Sequence, residues 1–286
     1  MTRHPLIQPD ELQARLRERD PRTVLLDCSF DLTDPDAGRF AFEGRHLPGA
    51  LYADLDQDLS APKSGRNGRH PLPTREAFVD RLAAWGVDDD SLVVVYDANL
   101  GVYAARAWWM LLWIGHADVA LLDGGLEAWR AAAGVLEHGL PAPPRRGAVT
   151  LRPPLVRSVD RVALLANLAE PRVLVVDARA PDRFRGENET LDPVGGRIPG
   201  SRNRWFKDNL QSDGRFKPAT QLAAEFDAVT GGRPAEDLVL SCGSGVTACH
   251  DLLALAICGR HGAALYPGSW SEWCAWPESP VAIGAG

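Results

Sequence analysis

The sequence predicts an α/β protein of two similar domains, each a parallel sheet flanked by helices. Two observations carry this expectation. First, the chain repeats itself: residues 94–129 align without a gap on residues 238–273, so that Val95 falls on Val239, Gly101 on Gly245 and Val102 on Val246. A repeat this long marks two homologous domains of ordinary size and not a solenoid. Second, short apolar runs alternate with stretches of helical spacing, as in strands joined by covering helices.

The elements follow in order. Residues 24–26 and 92–96 are strand-like runs in the first half, and residues 46–49 (HLPG) match 197–200 (RIPG) in the second. Trp108, Trp109 and Trp113 have helical spacing and belong to a core or a domain interface. Residues 139–154 are rich in Pro, Arg and Gly, as linkers are. The second half repeats the plan, with strand-like runs at 173–176 and 238–240. Trp129 and Trp273 fall on each other in the repeat and are expected to be structural, as are the flanking Trp270 and Trp276. The expected division is therefore 1–138, a linker at 139–154, and 155–286.

Composition excludes several classes. A chain of 286 residues with 45% hydrophobic content can bury two cores, and a net charge of −7 argues against a nucleic-acid footprint. The opening residues, MTRHPLIQPDEL, lack the apolar core of a secretory signal. The apolar stretches around 107–114 and 252–257 are too short to span a bilayer. Five irregularly spaced cysteines argue against a disulfide framework. A soluble, reduced, cytoplasmic protein with no membrane or nucleic-acid partner is expected.

Residues 241–249 read SCGSGVTAC. Cys242 follows an apolar run, Gly243 and Gly245 follow it, and helical spacing begins at Val246 and Thr247. The glycines let successive N–H groups turn inward as an anion-binding nest, and a helix N-terminus behind adds positive potential. A thiol there is expected to ionise readily, and the thiolate is the reactive form. Local features leave a nucleophile and a small buried hydrophobe both open for Cys242. Cys28, Cys249, Cys258 and Cys274 are expected to be small buried hydrophobes. In the repeat Cys242 falls on Ala98 and Ser244 on Leu100, which assigns the chemistry to the second half.

On these residues the chain resembles the rhodanese-type sulfurtransferases. Residues 242–248 (CGSGVTA) look like the active-site loop of the 3-mercaptopyruvate branch, whereas the thiosulfate branch carries charged residues there, as in CRKGVTA. Residues 177–186 (DARAPDRFRG), 196–201 (GRIPGS) and 266–273 (YPGSWSEW) look like further signatures in family order. The resemblance covers nearly the whole chain and implies two tandem rhodanese-like domains, the second catalytic.

It also implies roles. Cys242 would carry sulfur as a persulfide between two half-reactions. The N–H groups of Gly243, Gly245, Val246 and Thr247 would hold the outer sulfur, with the hydroxyls of Ser244 and Thr247 beside it. Arg183 corresponds to the family's donor-binding arginine, and Arg179 is a second candidate. The mercaptopyruvate branch carries another arginine a few residues on. Here residues 189–193 read ETLDP and hold none. Arg197 is the candidate to compensate, and thiosulfate stays open as an alternative donor. A Ser–His–Asp relay would comprise Ser244, His70 of residues 68–73 (GRHPLP) and Asp54 of residues 52–56 (YADLD), which implies a site between the halves. Acceptors would be cyanide, small thiols or thioredoxin-like dithiols, and the chemistry needs no metal or organic cofactor. Trp205 and Phe206 are candidates to line the cleft.

Three other readings are weaker. A cysteine phosphatase needs a loop arginine where this chain has Ala248. The cysteines and histidines after Cys242 lack CxxC spacing for zinc. A non-catalytic module would not need the cysteine and its full loop.

Overall fold

In the computed structural model, residues 3–18 and 20–284 are described. The chain forms two compact units. One comprises Met1–Ala61, Pro73–Leu155 and Ser212–Arg215; the other comprises Pro62–Leu72, Val156–Gln211 and Phe216–Gly286. The segment carrying His70 therefore belongs to the second unit, although it precedes the linker in sequence.

The first unit is built on β1 (Leu6–Ile7), β2 (Thr23–Asp27), β3 (Leu51–Tyr52), β4 (Leu92–Tyr96) and β5 (Val119–Leu122), a parallel sheet in the order β1-β5-β4-β2-β3. Its helices are α1 (Pro9–Arg17), α2 (Ala37–Gly44), α3 (Arg75–Ala84), α4 (Ala104–Trp113) and α5 (Gly125–Ala131). Every residue of β4 is buried, as a central parallel strand covered on both faces requires. Leu25, Phe42, Val94, Leu122 and Trp129 meet in its core.

The second unit repeats the plan. Its strands are β6 (Arg157–Ser158), β7 (Leu174–Asp177), β8 (Arg202–Asn203), β9 (Leu238–Ser241) and β10 (Ala264–Leu265), parallel and in the order β6-β10-β9-β7-β8. The helices are α6 (Arg161–Ala169), α7 (Pro181–Arg185), α8 (Ala219–Thr230), α9 (Thr247–Ile257) and α10 (Ser269–Trp273). Leu164, Val175, Val239, Tyr266, Trp270 and Trp273 form its core. The paired tryptophans do the same work in each unit: Trp129 donates through Nε1 to Val135 O at 2.9 Å, and Trp273 to Pro280 O at 2.8 Å.

Both sheets change winding direction beside the central pair, between β4 and β2 in one and between β9 and β7 in the other. In an open parallel sheet a ligand crevice forms outside the strand C-termini at such a point. In the second unit, the segments leaving β9 and β7 carry Cys242 and Arg183.

The buried-cysteine expectation holds for Cys28 and Cys249 but not for Cys258 and Cys274, which are part-exposed. Both lie just past the last turn of a helix, where water reaches one side. No helix among the described residues is long and apolar enough to cross a membrane.

Candidate active site

Cys242 leaves β9 with only 1% of its surface exposed. Its sulfur accepts the Gly245 N–H at 3.1 Å, so the loop curls back over it. Gly245 has φ +75°, and a Cβ there would collide with the Pro267 carbonyl, so only glycine fits. Val246 is the N-cap of α9 and Thr247 its first residue, which aims the helix's unsatisfied amides at the loop.

The far side of the loop is tied to α10. Trp270 N donates to Cys242 O and Ser271 N to Gly243 O, both at 2.9 Å. Ser269 accepts the Cys242 N–H at 3.0 Å through its hydroxyl, donates it to Tyr266 O at 2.9 Å, and lies 4.0 Å from the sulfur. Ser269 has φ +51°, a left-handed conformation that side chains avoid. Its counterpart in the repeat is Gly125, with φ +56°. A serine in the strained position supplies a hydroxyl that glycine lacks.

His70 and Ser244 come together as the sequence suggests: His70 Nδ1 is 2.8 Å from Ser244 Oγ, and both residues are buried. Asp54 lies in the first unit, where its Oδ1 accepts the N–H groups of Asp56 and Gln57 at 2.8 and 2.9 Å and so closes its own turn.

The three candidate arginines have different surroundings. Arg183 is held edge-on by Glu189, with Nε 3.2 Å and Nη2 2.7 Å from its oxygens, and stays one-fifth exposed. Arg179 is buried: it grips Asp177 through Nε and Nη2, donates to Gly196 O at 2.7 Å and stacks on Trp270 at 4.8 Å. These bonds hold the β7 turn and keep a positive charge close enough to Cys242 to interact with it. Burial works against that charge, but Asp177, Glu189 and Cys242 outweigh it and raise the Arg179 pKa. Arg197 stacks on Phe184 at 4.8 Å and donates to Gly284 O in the C-terminal segment.

Sequence reasoning missed Arg69. A Cβ on Gly243 would lie 2.8 Å from Arg69 Nη2 and 3.7 Å from both Nη atoms of Arg183, so two guanidinium groups flank the loop. Arg69 Nη1 is bonded to Asp192, and its N–H donates to Ser271 Oγ at 3.0 Å. The available signal was its place beside His70. Trp205 and Phe206 pack on each other, and Phe206 meets the His250 ring of α9 edge-on at 5.5 Å. Among the described residues no three His, Cys, Asp or Glu side chains converge as metal ligands.

The family model for the rhodanese-like domain matches residues 8–132 and again 160–275. The chain belongs to the rhodanese-like domain family. A Pseudomonas aeruginosa relative named "Probable 3-mercaptopyruvate sulfurtransferase" is 49% identical over 98% of both chains. The thiosulfate sulfurtransferase of Bos taurus is 36% identical over 93% of this chain and 90% of its own. Among solved structures, the 3-mercaptopyruvate sulfurtransferase from Leishmania major superposes with a TM-score of 0.83 at 29% identity, covering 96% of this chain and 75% of that one. The two sheets are thus a pair of rhodanese domains, and the cysteine loop belongs to the second.

Within this rhodanese pair the first domain closes its own nest. Asp97, at the C-terminal end of β4, accepts the N–H groups of Asn99 and Gly101 on Oδ1 and of Tyr103 and Ala104 on Oδ2, at 2.8–2.9 Å. A buried carboxylate fills the anion cradle that the second domain offers to the Cys242 sulfur. The repeat position of Asp97 in the second domain is Ser241, too short to fill it.

Proposed function

We propose that this protein is a sulfurtransferase that moves sulfur from 3-mercaptopyruvate to a thiophilic acceptor through a persulfide on Cys242. The full-length similarity to sulfurtransferases supports the enzyme class. One observation carries the choice of donor: the buried Ser244 Oγ–His70 Nδ1 contact at 2.8 Å, on the same loop as the nucleophile.

The chemistry explains why that contact matters. The Cys242 thiolate attacks the thiol sulfur of 3-mercaptopyruvate. An S–S bond forms, the C–S bond breaks, and its electron pair goes to the methylene carbon as an enolate. The thiol proton must then reach that carbon to give pyruvate. A serine hydroxyl hydrogen-bonded to a histidine can pass it, because imidazole both takes and gives protons near neutrality. The loop N–H groups and the α9 N-terminus stabilise the persulfide anion. Cyanide, a small thiol or a thioredoxin-like dithiol attacks the outer sulfur, and the electron pair of the S–S bond returns to Cys242. Asp54 is the proposed third member of the relay.

Thiosulfate is the second reading, favoured by the absence of arginine in residues 189–193. Sulfite leaves thiosulfate with the electron pair of the S–S bond and needs no proton. The two donors are therefore separable. Steady-state kinetics with each donor and cyanide, on wild type and on His70→Gln, tests the reading. Loss of kcat with 3-mercaptopyruvate alone supports it; equal loss with both, or a wild type that prefers thiosulfate, contradicts it. Five free cysteines are consistent with a reducing cytoplasm as the site of action. The proposed domain limits remain 1–138 and 155–286, joined by 139–154, with His70 contributed by the first stretch of chain.

A further inference from the structure

The stretch that lacks a second arginine is not idle. Glu189 and Asp192, only 4% and 3% exposed in their side chains, lie under two guanidinium groups. Glu189 takes Nε and Nη2 of Arg183, and Asp192 takes Nη1 of Arg69, with its second oxygen 3.5 Å from Arg183. Each arginine is thus fixed along one edge by a buried carboxylate. The opposite ends, Arg69 Nη2 and Arg183 Nη1, donate to no group among the described residues. Arg69 Nη2 lies 2.8 Å from the position of a Cβ on Gly243, one residue from the sulfur, and Arg183 Nη1 lies 3.7 Å from it, level with Arg183 Nη2.

We propose that Arg69 is the second donor-anchoring residue of this site, held over Gly243 by Asp192 so that Arg69 and Arg183 together grip the anionic end of the sulfur donor. The inference rests on the sulfurtransferase reading and deepens it. A planar guanidinium with one edge pinned presents its remaining N–H groups in a fixed direction, which suits a carboxylate bridging two arginines. Residues 189–193 hold no arginine and instead supply the carboxylate that seats one from residues 62–72. The Arg69 N–H to Ser271 Oγ bond anchors the backbone independently of the side chain, so the guanidinium can be removed without freeing the segment.

Arg69→Met is the direct test, with Arg69→Lys as the conservative variant. Losing a charge-assisted contact should raise KM for the donor about tenfold or more, mainly in KM and not in kcat, with partial recovery in the lysine variant. Pyruvate, which has the carboxylate and ketone but no sulfur, should weaken as a competitive inhibitor by the same factor. Removing Arg69 strands Asp192, so Arg69→Met/Asp192→Asn, which deletes both charges, guards against misfolding and should show the same KM. A readout without turnover is the rate of Cys242 alkylation by anionic iodoacetate relative to neutral iodoacetamide; the ratio should fall about tenfold in Arg69→Met. Unchanged KM, pyruvate inhibition and alkylation ratio, beside a clear loss in Arg183→Met, would overturn the role of Arg69 and leave the sulfurtransferase reading standing. A wild type inactive with both donors would instead overturn that reading, and the alkylation ratio would still decide whether Arg69 serves an anion site.

Discussion

In the proposed mechanism Cys242 draws on three neighbours: the Gly245 N–H on its sulfur, the Ser269 hydroxyl on its own N–H, and the Ser244–His70 pair, with Ser244 two residues along the loop. The account predicts that Ser244→Ala and His70→Gln each lower kcat with 3-mercaptopyruvate by about a hundredfold or more while thiosulfate turnover changes little. Steady-state rates with both donors check this, and equal losses would remove the relay from the mechanism. At this scale the sequence pointed to residues that the structure brings together around the loop, with Ser244 against His70 and Arg183 beside Gly243. Cys242, Ser244, Arg183 and His70 each sit in a short motif with its own chemistry. The pairing of Arg179 has a local signal: Asp177 lies two residues before it and closes on its Nε and Nη2. Arg69, Glu189 and Asp192 were not legible as a set, since their pairing joins segments more than a hundred residues apart, and nothing in a single sequence reports that contact.

At the scale of elements, one strand–loop–helix plan is used twice with opposite outcomes. After β9 the loop holds a sulfur; after β4 it holds the Asp97 carboxylate. Asp97 accepts four backbone N–H groups while buried, and burial keeps its pKa above the usual value despite them. Asp97→Ala would leave those amides unpaired, at a cost on the order of several kcal/mol. Urea denaturation should show the loss, while any protein that stays folded should still load sulfur on Cys242. Gly245→Ala probes the second loop. It places a side chain at φ +75° against Pro267 O, which should cost about 1–3 kcal/mol and turn the Gly245 N–H off the sulfur. Sulfur transfer should therefore fall more than stability does; full activity in this variant would mean that the N–H contact is incidental. β2, β4, β7 and β9 were legible because central parallel-sheet strands are continuous apolar runs, whereas two-residue strands such as β6 (Arg157–Ser158) and β8 (Arg202–Asn203) carry no such run. The short α7 and α10 were visible only as family signatures, since five residues are too few to show a period.

For the molecule as a whole, the repeat was the strongest sequence signal, and both sheets bear it out in strand order. What the repeat did not reveal is that Pro62–Leu72 belongs with the second unit and Ser212–Arg215 with the first, because long-range packing, not sequence order, decides membership. Global stability carries its own test on α9. Asp251 is completely buried, and burial pushes its pKa up to about 7, with Arg204 and the Asn209 hydrogen bond opposing. The unfolded chain releases this proton near the usual carboxylate value, so between about pH 4 and pH 7 the folded state holds more protons and stability falls as pH rises. Asp251→Asn should remove a few kcal/mol of that pH dependence, measured as the difference between wild-type and variant urea midpoints across the window. Parallel curves would mean that Asp251 titrates normally.

The most direct test of the central claim is intact-protein mass spectrometry after a single exposure of reduced enzyme to 3-mercaptopyruvate, with no acceptor present. The account predicts a gain of one sulfur atom, mapped to Cys242, released as thiocyanate on adding cyanide and absent in Cys242→Ser. Reduced wild-type protein that gains no sulfur, or gains it on another cysteine, would contradict it.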